Sequence, residues 1–444
     1  MQRLLESVAL HVPTIMLPRP GIDLSAWAVI ACDQYTSQPD YWRQVAERVG
    51  GSPSTLHMIL PEVYLDRVTD EQVARINRTM QSYLDTGLLT AQQPGFILVD
   101  RRTPHAASRK GLMAALDLER YDYRPGSTSL IRASEGTIVE RLPPRVIVRR
   151  DAPLELPHIM VLIDDPGRTV IEPLFEHALS PLYDIELMLQ AGRVRGFGIN
   201  DPVRIASAAQ ALRRLADASA GQYGGADTGA FLYAVGDGNH SLATAKNIWE
   251  TLKQSSADQT ALMSHPARYA LVELVNLHDP GLLFEPIYRV LFDIQAERLP
   301  EYMETYFRRQ GLSVRLRAAS GDEAAAVAAE TGSSTLHRFG WVSACGCGIA
   351  EIDAPGQVCA TGTLQDFLDA FVQEHQQALI DYVHGSAVVA ELGRRQGNAG
   401  FYLPSIAKAD LFRTIVLQGA LPRKTFSMGS AEEKRFYLEC RLIR

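Results

Sequence analysis

Short apolar runs alternate with amphipathic stretches along the chain, a pattern that predicts interleaved strands and helices rather than a helical bundle or a sandwich. Val73, Ile76, Met80 and Leu84 recur at helical spacing, which predicts a helix over 69–84 with Gly87 at its end. A second helix-like run follows Trp42 to Val49, with Thr36 or Ser37 as its cap and Pro39 in its first turn. Strands are predicted at 96–99, at 158–163 and at 230–235, and an extended stretch at 26–33. Residues 112–118 read as a short helix, 141–150 as a solvated basic strand, 299–310 and 323–330 as helices, and 340–343 as the start of a strand. Near the end, Phe436, Leu438, Cys440 and Leu442 alternate with polar residues, which predicts a half-buried strand.

At 444 residues the chain has room for two or three domains, and 46% hydrophobic with 21% charged residues describes an ordinary folded protein. A formal net charge of -7 argues against a dedicated nucleic-acid surface, which needs clustered Lys and Arg. Glu6 breaks what would be the apolar centre of a signal peptide, and no apolar run reaches the roughly 20 residues that span a bilayer. The expectation is a cytoplasmic protein with neither a nucleic-acid nor a membrane partner. Five cysteines without repeated spacing fit reduced thiols, and the Cys345 and Cys347 pair lacks the second pair of a zinc site.

The apolar run at 230–235 leads into Gly236, Asp237, Gly238, Asn239 and His240, and then into an amphipathic helix near Ser241. Helix N-termini leave unpartnered N–H groups and positive partial charge, so this junction suits a phosphate or carboxylate. Gly238 would let backbone approach a ligand, and Asp237, Asn239, His240 and Ser241 supply an acid, an amide, an imidazole and a hydroxyl. Ordinary turn chemistry, with Asn239 or Ser241 as a helix cap, is the alternative. The spacing is not that of a Walker loop, and Lys246 lies well inside the helix.

Three further polar clusters sit at element ends. They are Asp33, Gln34 and Tyr35; Arg132, Glu135 and Thr137; and Asp164 with Asp165. Glu135 is a candidate general base and Arg132 an anion clamp or its ion-pair partner. Asp164 and Asp165 could hold magnesium or cap a turn before Pro166. Arg423, Thr425 and Ser427 would share one face of an extended segment, which could contact phosphate or form a solvated edge. The glycines from 192 to 198 have the wrong spacing for a dinucleotide loop, and no strand is predicted before them.

The segments 29–37, 135–145, 236–246 and 421–429 together resemble a bacterial family known as domain of unknown function 1015, nearly end to end. The family's commoner junction reads Asp-Gly-His-His-Arg, which is similar to a motif of the ParB/sulfiredoxin-like fold. Here Asp237, Gly238 and His240 match, while Asn239 and Ser241 replace a histidine and an arginine, and Tyr288 stands where a histidine is expected. That superfamily includes nucleotide-binding proteins and a free serine kinase that phosphorylates L-serine using ADP.

The resemblance implies an α/β or α+β mixed sheet with a ParB/sulfiredoxin-like core and a smaller α+β subdomain. The expected division is an N-terminal α/β region at 1–130, the core at 131–290, an inserted subdomain at 291–380, and a C-terminal region at 381–444 packing back on the core. The expected activity is phosphoryl transfer on serine or phosphoserine with a nucleotide (ADP or ATP) and Mg2+. Glu135, Asp237 and His240 would act on the substrate, and Asp164 with Asp165 would hold the metal. Arg132, Thr137, Gly238, Asn239, Ser241, Lys246, Arg423, Lys424, Thr425, Asp33, Gln34 and Tyr35 would bind phosphate or substrate. A nucleotide or metabolite sensor without catalysis is the alternative.

Overall fold

A computed structural model describes the chain apart from residues 177–179, 224–228, 331–334, 355, 357, 358 and 423. It divides into two compact units, one made of Met1–Leu283 with Ala431–Arg444 and the other of Phe284–Ser430. The division differs from the four expected regions in two places. The boundary at 130 falls inside the first unit, where Tyr121 pairs with Ile131, and only the last 14 residues return to that unit.

The first unit is built on a mixed sheet of β1 (Leu10–His11), β2 (Phe96–Arg102), β3 (Arg109–Asp117), β4 (Tyr121–Asp122), β5 (Ile131–Ala133), β6 (Met160–Ile163), β7 (Pro181–Glu186), β8 (Arg193–Ile199), β9 (Tyr233–Asp237) and β10 (Tyr269–Asn276). Its order is β7-β8-β2-β3-β10-β6-β9-β5-β4, with β1 paired to β3. Both faces are covered. Phe96, Leu98, Leu112, Ala114, Val272 and Leu274 enter one core, while Ile97, Val99, Met113 and Leu271 enter another on the opposite face.

That double burial explains one correction. Residues 112–118, expected to be helical, lie mostly in β3, because a strand buried on both faces is apolar throughout and loses its period of two. The reverse error occurs at 141–150: Leu142–Arg150 is a helix with prolines in its first turn and Arg149 and Arg150 in its last.

The other helices of the first unit follow the expected signals more closely. Pro39–Val49 forms α1, with Gln38 rather than Thr36 or Ser37 at the N-cap position and no side-chain cap. Asp70–Asp85 forms α2, opened by a Thr69–Gln72 capping box. Leu142–Arg150 is α3, Pro202–Gln222 is α4, and Asn239–Ser255 is α5. A short helix, Leu24–Trp27, interrupts the extended stretch expected at 26–33. Gly196 and Gly198 fall on β8 and Gly192 stands just before it, and β7 does precede them.

The second unit has a six-stranded antiparallel sheet in the order Ser313–Ala318, Gly346–Asp353, Leu336–Ser343, Ala399–Tyr402, Tyr288–Phe292 and Leu379–Val383. Helices Leu299–Arg309 and Ala360–Glu374 supply Leu299, Met303, Phe307, Leu364, Phe367 and Phe371 to its core. The chain is therefore mixed α/β. Among the described residues, no helix is long and apolar enough to cross a membrane.

Candidate functional site

The end of β9 and the start of α5 form the predicted strand-to-helix junction, with Gly238 as N-cap in the left-handed conformation (φ 77°) and no side-chain cap. A Cβ at Gly238 would lie 3.0 Å from Ile159 Cα, so both the backbone angle and the space require glycine. Neither Asn239 nor Ser241 is the cap.

Register then decides what surrounds the junction. Val235 pairs with Ala133 in parallel β5, which brings the loop carrying Glu135 and Thr137 to the same sheet end. Asp237 pairs with Met160 in antiparallel β6, which brings up His158 just before that strand. His240 Nε2 accepts the Ile138 N–H at 3.3 Å. The Oδ1 of Asn239 and the Oγ1 of Thr137 are buried without a hydrogen-bond partner among the described residues, unlike most buried polar atoms.

The last residues of the chain complete the site. Lys434 Nζ stands 3.3 Å from Asp237 Oδ2, and its side chain is only 8% exposed. Tyr437 Oη lies 2.9 Å from His158 Nδ1, while His158 Nε2 lies 2.7 Å from Ser241 Oγ and 3.8 Å from Asp33 Oδ2. Tyr437 Oη also accepts the Cys32 N–H at 3.1 Å. From α3, Arg145 donates to both carboxylate oxygens of Glu62, at 2.8 and 2.5 Å. Burial and the Asp33 charge raise the Glu62 pKa, against the pull of Arg145.

Beside this polar group is a cavity of about 130 Å³, with Met58, Ile59, Leu65, Met80 and Leu271 on its apolar wall and Glu62, Arg145, His158, Ser241 and Tyr437 on its polar wall.

The structure thus gathers Asp33, Thr137, Asp237, Gly238, Asn239, His240 and Ser241, with the half-buried Glu135 on the adjoining loop. Other expected residues go elsewhere. Asp164 and Asp165 follow β6 at its far end, roughly 13 Å along a four-residue strand from the junction. Asp165 there accepts the Thr169 and Val170 N–H groups, and Asp164 bonds Tyr223 and His278. Both carboxylates make turn or side-chain bonds there, away from the junction. Among the described residues, no cluster of three or more His, Cys, Asp or Glu suits a metal ion.

Arg132 donates from Nε to Ser129 O and stacks over Phe231, toward the other end of β5. Lys246 reaches Leu118 O and Glu250. Gln34 bonds Asp33, and Tyr35 stacks on Tyr41 with ring centroids 3.7 Å apart. Lys424 and Thr425 belong to the second unit, where Thr425 Oγ1 donates to Pro422 O; Arg423 lies outside the described residues.

His158, Lys434, Tyr437, Glu62 and Arg145 were not anticipated. For the C-terminal pair a signal existed. Glu433, Lys434, Arg435, Glu439 and Arg441 punctuate an apolar run, and all five are buried, whereas Leu442 is 41% exposed. The alternation at 436–442 therefore describes no half-buried strand but a segment buried almost throughout, its charges paired.

These features define a mixed α/β protein with a polar cleft at a strand-to-helix junction. The family described as protein of unknown function DUF1015 matches residues 16–371, and the chain belongs to that family. No curated protein matches it. Among solved structures, a free serine kinase in complex with AMP is similar at 9% identity, covering 74% of this chain and 91% of that one, with a TM-score of 0.38. A variant of the kinase in complex with ADP is 10% identical, with 74% and 92% covered and a TM-score of 0.39. A conserved hypothetical protein from Pyrococcus furiosus is 10% identical, with 73% and 90% covered and a TM-score of 0.36.

Proposed function

We propose that the chain is a phosphoryl-transfer enzyme that uses a nucleotide, ADP or ATP, and acts on a small hydroxy-amino acid, serine or phosphoserine. The observation that carries this reading is the uncapped N-terminus of α5 with Lys434 3.3 Å from Asp237 beside it. A helix start without a side-chain cap and a nearly buried ammonium suit a phosphate, and phosphoryl transfer asks mainly for positioning and charge stabilisation. Asn239 Oδ1 and Thr137 Oγ1, buried and unpartnered, are acceptors that a donor group of a bound ligand would satisfy.

In this reading Asp237 orients the acceptor hydroxyl and takes up its proton as the bond to phosphorus forms and the phosphorus–oxygen bond to the departing nucleotide, AMP from ADP or ADP from ATP, breaks, with Lys434 and the α5 amides facing the phosphate oxygens. Glu135 borders the same space, and Asp33 is the carboxylate for a substrate ammonium. Among the described residues the donor groups do not form a cation site: Lys434 stands next to Asp237, and the Asp164 and Asp165 carboxylates make bonds elsewhere. Magnesium would accompany the nucleotide phosphates.

Titration calorimetry with ADP and ATP, with and without Mg2+, followed by phosphorus NMR of mixtures with serine and phosphoserine, tests the proposal. Losing one charge-assisted phosphate contact costs about 1.5–3 kcal/mol, so Lys434→Met should weaken nucleotide binding about 10- to 100-fold. Absence of nucleotide binding, or equal binding by Lys434→Met, overturns it. Binding without turnover identifies the sensor instead.

A further inference from the structure

The phosphoryl-transfer reading leaves unassigned the hydroxyl of Ser241, its histidine partner and the apolar cavity they border. Ser241 Oγ and His158 Nε2 are 2.7 Å apart, and His158 Nδ1 is in turn 2.9 Å from Tyr437 Oη. A nucleophile within hydrogen-bond reach of a base, with that base oriented by a third group, is the arrangement of covalent catalysis. Three separate parts of the chain supply it: the start of α5, the residue pair before β6, and the C-terminal segment.

The tautomer is compatible with that chemistry. Tyr437 Oη can accept both the Cys32 N–H and the proton on His158 Nδ1, which leaves Nε2 free to receive the Ser241 proton. The cavity next to the hydroxyl indicates what the nucleophile would attack. Met58, Ile59, Leu65, Met80 and Leu271 make one wall apolar. Its two guanidinium groups, Arg145 and Arg149, are already paired with Glu62 and Glu155, so that side of the site offers a neutral group an apolar berth and an anion little.

We infer that Ser241 is a nucleophile toward carboxylic esters of short aliphatic acids, with His158 as its base and the cavity as the acyl pocket. At about 130 Å³ the cavity is close to the roughly 150 Å³ that accommodates benzene, which corresponds to an acyl group of about four to six carbons. Ser241 Oγ bonds the ester carbonyl carbon as its proton passes to His158 Nε2. The bond from that carbon to the alcohol oxygen then breaks, and the departing alcohol takes the proton from His158. A water molecule, giving its proton to His158, attacks the acyl-serine; the carboxylic acid departs and the proton returns to Ser241 Oγ. The dipole of α5 stabilises the oxyanion formed in each half. Tyr437 is a positioning residue.

The test uses the full chain with a fluorophosphonate probe and p-nitrophenyl butyrate, hexanoate and dodecanoate. Expected are labelling of Ser241, located by peptide mass spectrometry, and hydrolysis of the butyrate and hexanoate in preference to the dodecanoate. Ser241→Ala should abolish labelling, and His158→Gln should lower kcat about a hundredfold or more. Tyr437→Phe should lower kcat with little change in KM. Leu65→Trp, which narrows the pocket and spares the reacting groups, should move the preference from the hexanoate toward the butyrate. Absence of labelling in the folded wild type, labelling at another serine, or undiminished hydrolysis by Ser241→Ala overturns the inference. None of these outcomes depends on nucleotide binding, so it and the phosphoryl-transfer reading stand or fall separately.

Discussion

Replacing Arg435 by methionine tests how the C-terminal segment is held in the site. The guanidinium, in a residue 4% exposed, donates to Glu273 at 2.6 Å, to Glu439, and to Pro157 O at 3.0 Å. Glu273 is 1% and Glu439 0% exposed. Methionine keeps an apolar stem but leaves two buried carboxylates without their cation. Breaking a buried pair by removing one partner costs about 3–5 kcal/mol, mostly from the stranded charge.

Urea unfolding followed by tryptophan fluorescence is the assay, because the fully buried Trp27 donates its indole N–H to Leu438 O at 3.1 Å and so reports on this segment. Adding Glu273→Gln and Glu439→Gln should restore much of the stability. A deficit below about 1 kcal/mol, the scale of an exposed pair, would refute the reasoning.

Two further outcomes are expected. Gly238→Ala places a Cβ 3.0 Å from Ile159 Cα at a φ of 77°, which should destabilise the folded state by about 1–3 kcal/mol; an unchanged thermal midpoint would contradict it. Burial, reinforced by Arg441, lowers the His11 pKa from 6.5 to about 4, so its contribution to stability is full above pH 6.5 and is lost as the pH falls toward 4. His11→Gln should therefore flatten part of the stability loss between pH 7 and pH 5, and parallel pH profiles for variant and wild type would count against it.

The candidate site was partly legible because one junction carries much of it in consecutive residues. Gly238 announces the turn, and the apolar run before it together with the amphipathic run after it announces strand and helix. Local composition said little about Lys434 and Tyr437, which reach the junction from about 200 positions away. Charges within an apolar run were the available sign: Arg101, Arg109, Glu273, Glu433 and Glu439 are all buried near that segment's anchors. Thr103 donates to Glu433 at 2.8 Å, and Arg109 to the Glu433 carbonyl at 2.9 Å, so the residue next to Lys434 is tied on both its side chain and its backbone.

Asp164 and Asp165 illustrate the opposite failure. Two acids after an apolar strand look the same in sequence whether they face a ligand or close a turn, and strand direction separates the cases. Because β6 runs antiparallel to β9, its beginning and not its end meets Asp237.

By itself the sequence determined the elements whose signals are local: the α2 capping box, the β9–α5 junction, the mixed α/β character and the membership that four ordered motifs imply. Caps, glycine conformations and amphipathic periods act within a few residues, so they can be read along the chain. Only the tertiary structure decided that residues 112–118 lie mostly in a strand, that His158 meets Ser241, and that the last 14 residues return to the first unit to supply a lysine and a tyrosine. Those outcomes depend on strand order, register and burial on both sheet faces, which are settled by packing between distant segments and leave no periodic trace in any one of them.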